Sequence, residues 1–467
     1  MQDYLDIFNR VASAHCARQD AVVQAPSASE LQQTLDLALG DEGADSQTLE
    51  QAVKDYLHYN PNSGDPNFFK LLYSGRNEPA LLGDWVTSLS NATMHTYQVG
   101  PVATLMEIEL VKQFNQLIGF TQGDGLMVSG GSQANLVAMM LARHRACPEF
   151  KTQGADGRKL IAYVSDQAHY SAQKAVNLLG IGSDNLIAVA SDEHGCIDPD
   201  ELTKAIKHSK AQGHHPFFIG LTAGTTVTGS YDRVKPCREI ADKHDLWLHI
   251  DGAWGAPVLF SSQHRHLLAD CELADSFAWD AHKLMNVPIT AAAILVREQG
   301  LLRECFSGGG TDYLFHADEN ADFNFGVKSM QCGRRADALK VWLSWKALGN
   351  RGFAAKIDYL QGLKTHCLKQ IEAQPHLESI APADYLNVVF RYRPAHIQDE
   401  EQLKRLNTRI TKVMAASGGA YSDYANYKGR TGIRLILAND KASKVHIDNL
   451  LADCLEIGEQ LLNSGDF

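Results

Sequence analysis

Between about residues 130 and 300, six short apolar runs alternate with amphipathic stretches, and this alternation constrains the fold more than any other feature of the chain. The runs are "LIAYVS" (160 to 165), "LIAVA" (186 to 190), "PFFIGLT" (216 to 222), "LWLHID" (246 to 251), "SFAWD" (276 to 280) and "AAAILV" (291 to 296). Several are apolar at consecutive positions, so both faces of the strand need cover, and the helical stretches between them supply it. The pattern predicts an α/β fold with a mostly parallel, doubly wound sheet over residues 91–350. Residues 1–90 are expected to form a helical segment, broken by a Ser/Gly/Asp-rich stretch near 40 to 46. "PVATLMEIELVKQFNQLIGF" reads as a long helix leading into the sheet, and "ADALKVWLSWKALG" as a long helix leaving it. "LNVVFRYRP", a helix near 400 to 416, "GIRLILAN" and a terminal helix then predict a small α+β domain over 351–467.

Several function classes conflict with the composition. The 43 basic and 55 acidic residues leave a formal charge of −12, and no basic run is interleaved with aromatics, which argues against a nucleic-acid partner. No apolar run approaches the roughly 20 residues that cross a bilayer, so no membrane partner is expected. The start "MQDYLDIFNRVASAH" has no charged region followed by an apolar core, and a cytoplasmic location is the expectation. The nine cysteines are scattered singly without a C-x-x-C, which argues for reduced thiols and against a metal site or a disulfide framework.

The polar residues of interest fall where open α/β sheets collect ligands, at the carboxyl ends of strands and in the turns beyond them. "VSGGSQANLVAMMLARH" opens a helix with Gly130, Gly131 and Ser132. Leftover amides, the helix dipole and a capping serine suit an anion there, although Gly-Gly-Ser before a helix is commonly a plain turn. His169 follows "LIAYVS" and is either a satisfied structural histidine or a flat ring for stacking. Asp251 ends "LWLHID" and either caps a turn or keeps a ring nitrogen protonated. "GTT", at 224 to 226, ends another run with hydroxyls. Lys283, in "DSFAWDAHKLMNVP", lies just past a buried strand, where a lysine is costly unless paired or used as a neutral amine. A neutral lysine forms Schiff bases with aldehydes. Together these groups match pyridoxal 5′-phosphate (PLP), which has one phosphate, one flat ring, one ring nitrogen and one aldehyde.

At these residues the chain resembles the group II PLP-dependent amino acid decarboxylases, the family of the glutamate, cysteine sulfinate, aspartate and aromatic amino acid enzymes. The resemblance runs from "FFKLLYSG" at 68 to "GIRLILAN" at 432, and "TYQVGPVATLME", "DGLMVSGGSQANL", "WLHIDGAWGAPVL", "YLFHADE" and "QCGRRADALKVWLSWKALG" are closest to its acidic amino acid branch. It implies the aspartate-aminotransferase-like (type I) fold of PLP enzymes and a homodimer with shared active sites. It makes Lys283 the lysine that takes up the aldehyde and Asp251 the partner of the ring nitrogen. His169 would stack on one face of the ring and Ala253 pack beneath the other. Gly130, Gly131, Ser132, Asp280 and His282 would border the phosphate, and Thr226 the ring hydroxyl. Arg434 would bind the substrate α-carboxylate, for which a planar guanidinium is suited. The implied reaction is α-decarboxylation of an L-amino acid, with aspartate, cysteine sulfinate or glutamate as the expected substrate class.

Three departures bear on substrate and mechanism. Asp280 stands where much of the family has asparagine, and some bacterial members acting on lysine or diaminobutyrate resemble this "DAHK" form. Leu71, after Lys70, replaces the glutamine of "FFNQL" in the animal glutamate and cysteine sulfinate enzymes, and Lys70 is expected to face solvent. The loop after "YLFHADE" is two residues shorter, with Ala321 where the family has a proton-donating tyrosine, while Tyr313 reads as structural. His169 or a water then has to supply the proton. The alternatives carried with the main reading are a basic amino acid (2,4-diaminobutyrate, ornithine or lysine) as substrate, a PLP aminotransferase, and an inactive homologue.

Overall fold

The structure is a computed structural model of the 467-residue chain and describes residues 2–18, 21–24, 26–309, 313–316 and 318–467. It divides into two compact units, a larger one of Arg76–Lys364 with Ala381–Asn387, and a smaller one of Met1–Gly75, Thr365–Ile380 and Val388–Phe467.

The larger unit is built on seven strands: β1 (Asp124–Val128), β2 (Leu160–Ser165), β3 (Leu186–Val189), β4 (His215–Thr222), β5 (Trp247–Asp251), β6 (Ser276–Asp280) and β7 (Ala292–Val296). Their order is β1-β7-β6-β5-β4-β2-β3. The neighbours from β3 through β6 pair in parallel, and β7 alone runs antiparallel to both its neighbours. The six runs read from the sequence are the strands β2 to β7. The expected doubly wound, mostly parallel sheet is present. β2, β6 and β7 are buried along their whole length, as expected for strands covered on both faces. The helix Gly131–Ala146 packs across β4 to β7, and Pro101–Ile118 packs against β1 and β7.

Parallel register places several strand ends at one edge. Thr222 is opposite Asp251, and Asp251 opposite Ala278, two residues before the end of β6. β6 is anchored by Trp279, whose ring lies 4.8 Å from Phe114 and 5.9 Å from Phe260. The chain then has to reverse into β7, because Asp280 pairs with Ala292. Lys283 sits in that reversal, where Asn286 N–H donates to the Lys283 carbonyl and Asn286 takes a left-handed φ of 55°.

The smaller unit holds β8 (Leu377–Ser379), β9 (Asn387–Tyr392), which begins on the last residue of the larger unit, β10 (Asp423–Tyr427) and β11 (Arg430–Ile436), in the order β10-β11-β9-β8. β8 with β9 and β10 with β11 form antiparallel pairs. The helix Glu400–Ala416 packs on β11 and on the C-terminal helix Lys444–Ser464. Among the described residues, no helix is long and apolar enough to cross a membrane.

Candidate active site

Asp251 ends β5 on the sheet face that also carries Trp247 and His249, because side chains alternate along a strand. Its Oδ2 accepts a 2.7 Å hydrogen bond from Asn135 Nδ2, and its Oδ1 accepts from the Ala253 amide at 3.1 Å. No cation lies against it in hydrogen-bond range among the described residues. Neutral donors leave a carboxylate's charge uncancelled, so it can serve a cationic partner.

Asn135 comes from the first two turns of the helix that starts at Gly131. That start is tightly packed: a methyl on Gly131 would lie 2.9 Å from Ala253 Cβ and 3.0 Å from Asp280 Oδ2, so only glycine fits. Gly130 lies in extended backbone and faces the ring of His282, 3.8 Å from where a Cβ would be. The first amides engaged within the helix are those of Gln133 and Ala134, which donate to Gly130 O. The amides of Gly131 and Ser132 are among those a helix start leaves over for an anion. Ser132 was expected to cap this helix. Instead Gly130 occupies the cap position, no side chain caps it, and Ser132 falls inside the first turn.

Lys283 Nζ lies 3.3 Å from Asp280 Oδ2, and His282 Nε2 lies 3.6 Å from the same oxygen. Asp280 is 1 % exposed, whereas the Lys283 side chain keeps 22 % of its surface. The Asp280 carboxylate is thus paired with the Lys283 amine and lies beside the His282 ring. Its other oxygen, Oδ1, is buried with no hydrogen-bond partner.

His169 follows β2, and the charges of Asp251, Lys283 and Asp280 all act on it. Burial dominates and lowers its pKa from the ordinary histidine value, so the ring is neutral near pH 7. Its Nδ1 accepts from the Ser171 amide at 3.2 Å, which puts the proton of the neutral ring on Nε2. His169, Asp251, Asn135 and Thr222 border a cavity of about 20 Å³, room for one water. Thr226 lies in the turn after β4, its carbonyl held by Asn387 Nδ2 at 3.0 Å, and the neighbouring Thr225, Thr228 and Ser230 hydroxyls bond one another at 2.6 and 2.7 Å.

The larger unit therefore brings together Gly130, Gly131, Ala253, His169, Asp251, Asp280, His282 and Lys283. Ser132 and Thr226 lie on the adjoining helix start and turn. This set fits PLP: leftover amides at a glycine-lined helix start for the phosphate, an uncompensated carboxylate for the ring nitrogen, and a partly exposed amine for the aldehyde.

The family model for the pyridoxal-dependent decarboxylase conserved domain matches residues 28–393. The chain belongs to the pyridoxal-dependent decarboxylases. It is 34 % identical over 444 residues to cysteine sulfinic acid decarboxylase of Rattus norvegicus, covering 92 % of this chain and 90 % of the relative. It is likewise 34 % identical over 444 residues to the acidic amino acid decarboxylase GADL1 of Homo sapiens, covering 92 % and 85 %. The crystal structure of mouse CSAD superposes with a TM-score of 0.94 at 32 % identity, covering 98 % of both chains. This decarboxylase is accordingly a PLP-dependent carboxy-lyase of amino acid metabolism.

Arg434 lies on β11 of the smaller unit, opposite Asp423 in the β10/β11 pair. One of its terminal nitrogens donates to Lys70 O at 3.0 Å and stands 3.9 Å from Asp423 Oδ2. Burial lowers its pKa from the ordinary arginine value, and Asp423 opposes that shift. Lys70 does not simply face solvent as expected. Its Nζ lies 3.8 Å from Asp423 Oδ2 and 4.7 Å from the centre of the Tyr421 ring. The segment is held there by backbone bonds from Phe69 N to Tyr421 O and from Ile436 N to Phe69 O. Tyr313, read as structural, is 79 % exposed, and Ala321 begins a short 3₁₀ turn, Ala321–Phe323.

Sequence reasoning missed Asn135 and His249, buried side chains behind Asp251. The one available signal was the alternation in "LWLHID", which sets Trp247, His249 and Asp251 on a common face.

Proposed function

We propose that this enzyme α-decarboxylates an acidic L-amino acid, with cysteine sulfinate and aspartate as the leading substrates, and that Lys283, Asp251 and His169 carry the chemistry. The observation that carries the reading is the Asp251 carboxylate, held by Asn135 and the Ala253 amide with no cation against it among the described residues, while its charge and that of the Lys283 amine both act on His169. The acidic class is supported by the relatives, which are named for cysteine sulfinic acid and for acidic amino acids. It is also supported by Arg434 and Lys70, two cations near the Asp423 carboxylate.

When bound, PLP supplies an electron sink for the electron pair left at Cα as carbon dioxide departs. Lys283 is the amine that would hold the cofactor aldehyde. Asp251 would keep the proton on the ring nitrogen, His282 and the Gly131 and Ser132 amides would hold the phosphate with Gly130 and Asp280 at its border, and Thr226 would serve the ring-hydroxyl side. Ala253 and His169 would hold the two faces of the ring. Arg434 anchors the α-carboxylate, and that anchor selects which bond at Cα breaks, so orientation supplies much of the rate. With Ala321 in place of a tyrosine, a water, or His169 after taking up a second proton, would return the proton to Cα.

The basic-substrate alternative rested on Asp280 and on Leu71 in place of a glutamine. Its contacts with Lys283 and His282 engage that carboxylate locally and weaken the case for it as a receptor of a distant ammonium. The active form is read as a homodimer in the cytoplasm. A second copy would cover Trp85, Leu89, Val102 and Leu105, apolar side chains 43 to 80 % exposed on the helices Glu78–Ser90 and Pro101–Ile118.

Carbon dioxide release across a panel of L-amino acids tests the function, with Lys283→Ala as control. Turnover of cysteine sulfinate or aspartate, absent in the control, is expected. Turnover confined to 2,4-diaminobutyrate, ornithine or lysine would overturn the substrate class, and cofactor absorbance without carbon dioxide would overturn the reaction.

A further inference from the structure

Behind Asp251, four more side chains continue the same hydrogen-bonded line into the core. Trp247 Nε1 meets Ser276 Oγ at 2.8 Å, Ser276 Oγ meets His249 Nδ1 at 2.8 Å, His249 Nε2 meets Asn135 Oδ1 at 2.9 Å, and Asn135 Nδ2 meets Asp251 Oδ2 at 2.7 Å. Register explains the line. His249 is opposite Ser276 in the β5/β6 pair, Trp247 and Asp251 are two residues either side of His249, and the overlying helix contributes Asn135. Trp247, His249, Ser276 and Asn135 are all buried.

Chemistry assigns every proton in the line. An indole only donates, so Ser276 Oγ accepts from Trp247. The Asn135 amide turns its nitrogen to the Asp251 carboxylate and, with its second hydrogen, to Ser171 Oγ at 2.9 Å, so its oxygen faces His249. His249 Nε2 must therefore carry a hydrogen. Burial pushes the His249 pKa down to about 4, so the ring is neutral, Nδ1 is an acceptor, and the Ser276 hydroxyl hydrogen points to it. Each bond then donates toward Asp251. Such chains polarise cumulatively in a low dielectric, and donors to a carboxylate make it the weaker base.

We infer that His249 and Asn135 are positioning residues that fix the Asp251 carboxylate as an acceptor toward the cofactor's ring nitrogen, so that the proton the two share rests on the nitrogen. This rests on the reading of Asp251 as the ring-nitrogen partner. No residue of the line beyond Asp251 needs to touch cofactor or substrate.

The test is the ring-nitrogen chemical shift of the protein loaded with PLP labelled with ¹⁵N in the ring, with the cofactor dissociation constant measured beside it. The wild-type shift is expected to be that of a protonated nitrogen. His249→Gln, which keeps an N–H toward Asn135, should stay near it. His249→Leu, which keeps bulk and loses the donor, should move toward the neutral shift and weaken cofactor binding about ten-fold. A merely structural role would lower the melting temperature of His249→Leu and leave the shift of its folded fraction unchanged, and that result overturns the inference. Should His249→Leu not fold, Ser276→Ala decides: a smaller displacement in the same direction supports the inference and none overturns it. Asp251→Ala separates the two layers. An unmoved shift there overturns the reading of Asp251 itself, whereas a moved shift there with none in His249→Leu overturns only the line behind it.

Discussion

Asp251 and Arg434 are charges of opposite sign taken largely out of water, and their surroundings treat them in opposite ways. Asp251 is held by neutral donors from Asn135 and the Ala253 amide, which stabilise its charge without cancelling it. Arg434 has a competing carboxylate, Asp423, 3.9 Å away, which it shares with Lys70 at 3.8 Å. Fixed dipoles suit a group that must remain a permanent partner of one cofactor atom, because they cost no reorganisation. A long cation beside a carboxylate suits a group that is proposed to take the substrate's carboxylate. On the proposed function, the contrast separates chemistry, built into a strand and a helix start, from recognition, built on long side chains.

Four results would break or sharpen that contrast. Lys283→Ala removes the cofactor-bearing amine and should lower carbon dioxide release by more than about 10³-fold, read as kcat on carboxyl-labelled substrate. His249→Gln should change the pH dependence of stability. The folded-state pKa of His249 is depressed from 6.5 to about 4, so its contribution is fully present above pH 6.5 and is lost as pH falls from 6.5 toward 4. Over that window the wild type should lose about 3 kcal/mol more than His249→Gln in urea titrations, and parallel curves would contradict a neutral buried histidine. Arg434→Lys keeps the charge and loses the planar fork, and it should raise the substrate KM about 30-fold, near 2 kcal/mol. An unchanged KM would remove Arg434 from recognition. Asp423→Asn frees Arg434 and Lys70 of their competitor and should lower the KM for an acidic substrate about three-fold in steady-state assays. A raised KM would show that Asp423 orients the arginine instead of competing with the substrate.

How far these two regions were legible in the sequence follows from the same physics. Alternating apolar runs located β2 to β7 within a residue or two, since burial on both faces leaves a local signature. β1 was not read as a strand because "DGLMV" opens with a turn-like Asp-Gly, although Met127 N–H is held by the buried Glu107 carboxylate at 2.9 Å. The reversal of β7 leaves no local mark, since a buried strand reads alike in either direction. Lys283, Asp251, His169 and the glycines were legible because each has a residue type that strand ends and helix starts use for ligands. The line through Asn135, His249 and Ser276 was not, because it depends on register between β5 and β6 and on the helix above them. Lys70 was misjudged for a similar reason: lysines generally face solvent, but here the backbone pairing of residues 68 and 69 beside Tyr421 brings it to Asp423.

The most direct test of the account is to reduce the PLP-loaded enzyme with borohydride, digest it and locate the phosphopyridoxyl mass by tandem mass spectrometry. The account expects that mass on the peptide containing Lys283 at close to one per chain, and its absence from Lys283→Ala. A modification carried mainly by another lysine, or one that persists in Lys283→Ala, would contradict it.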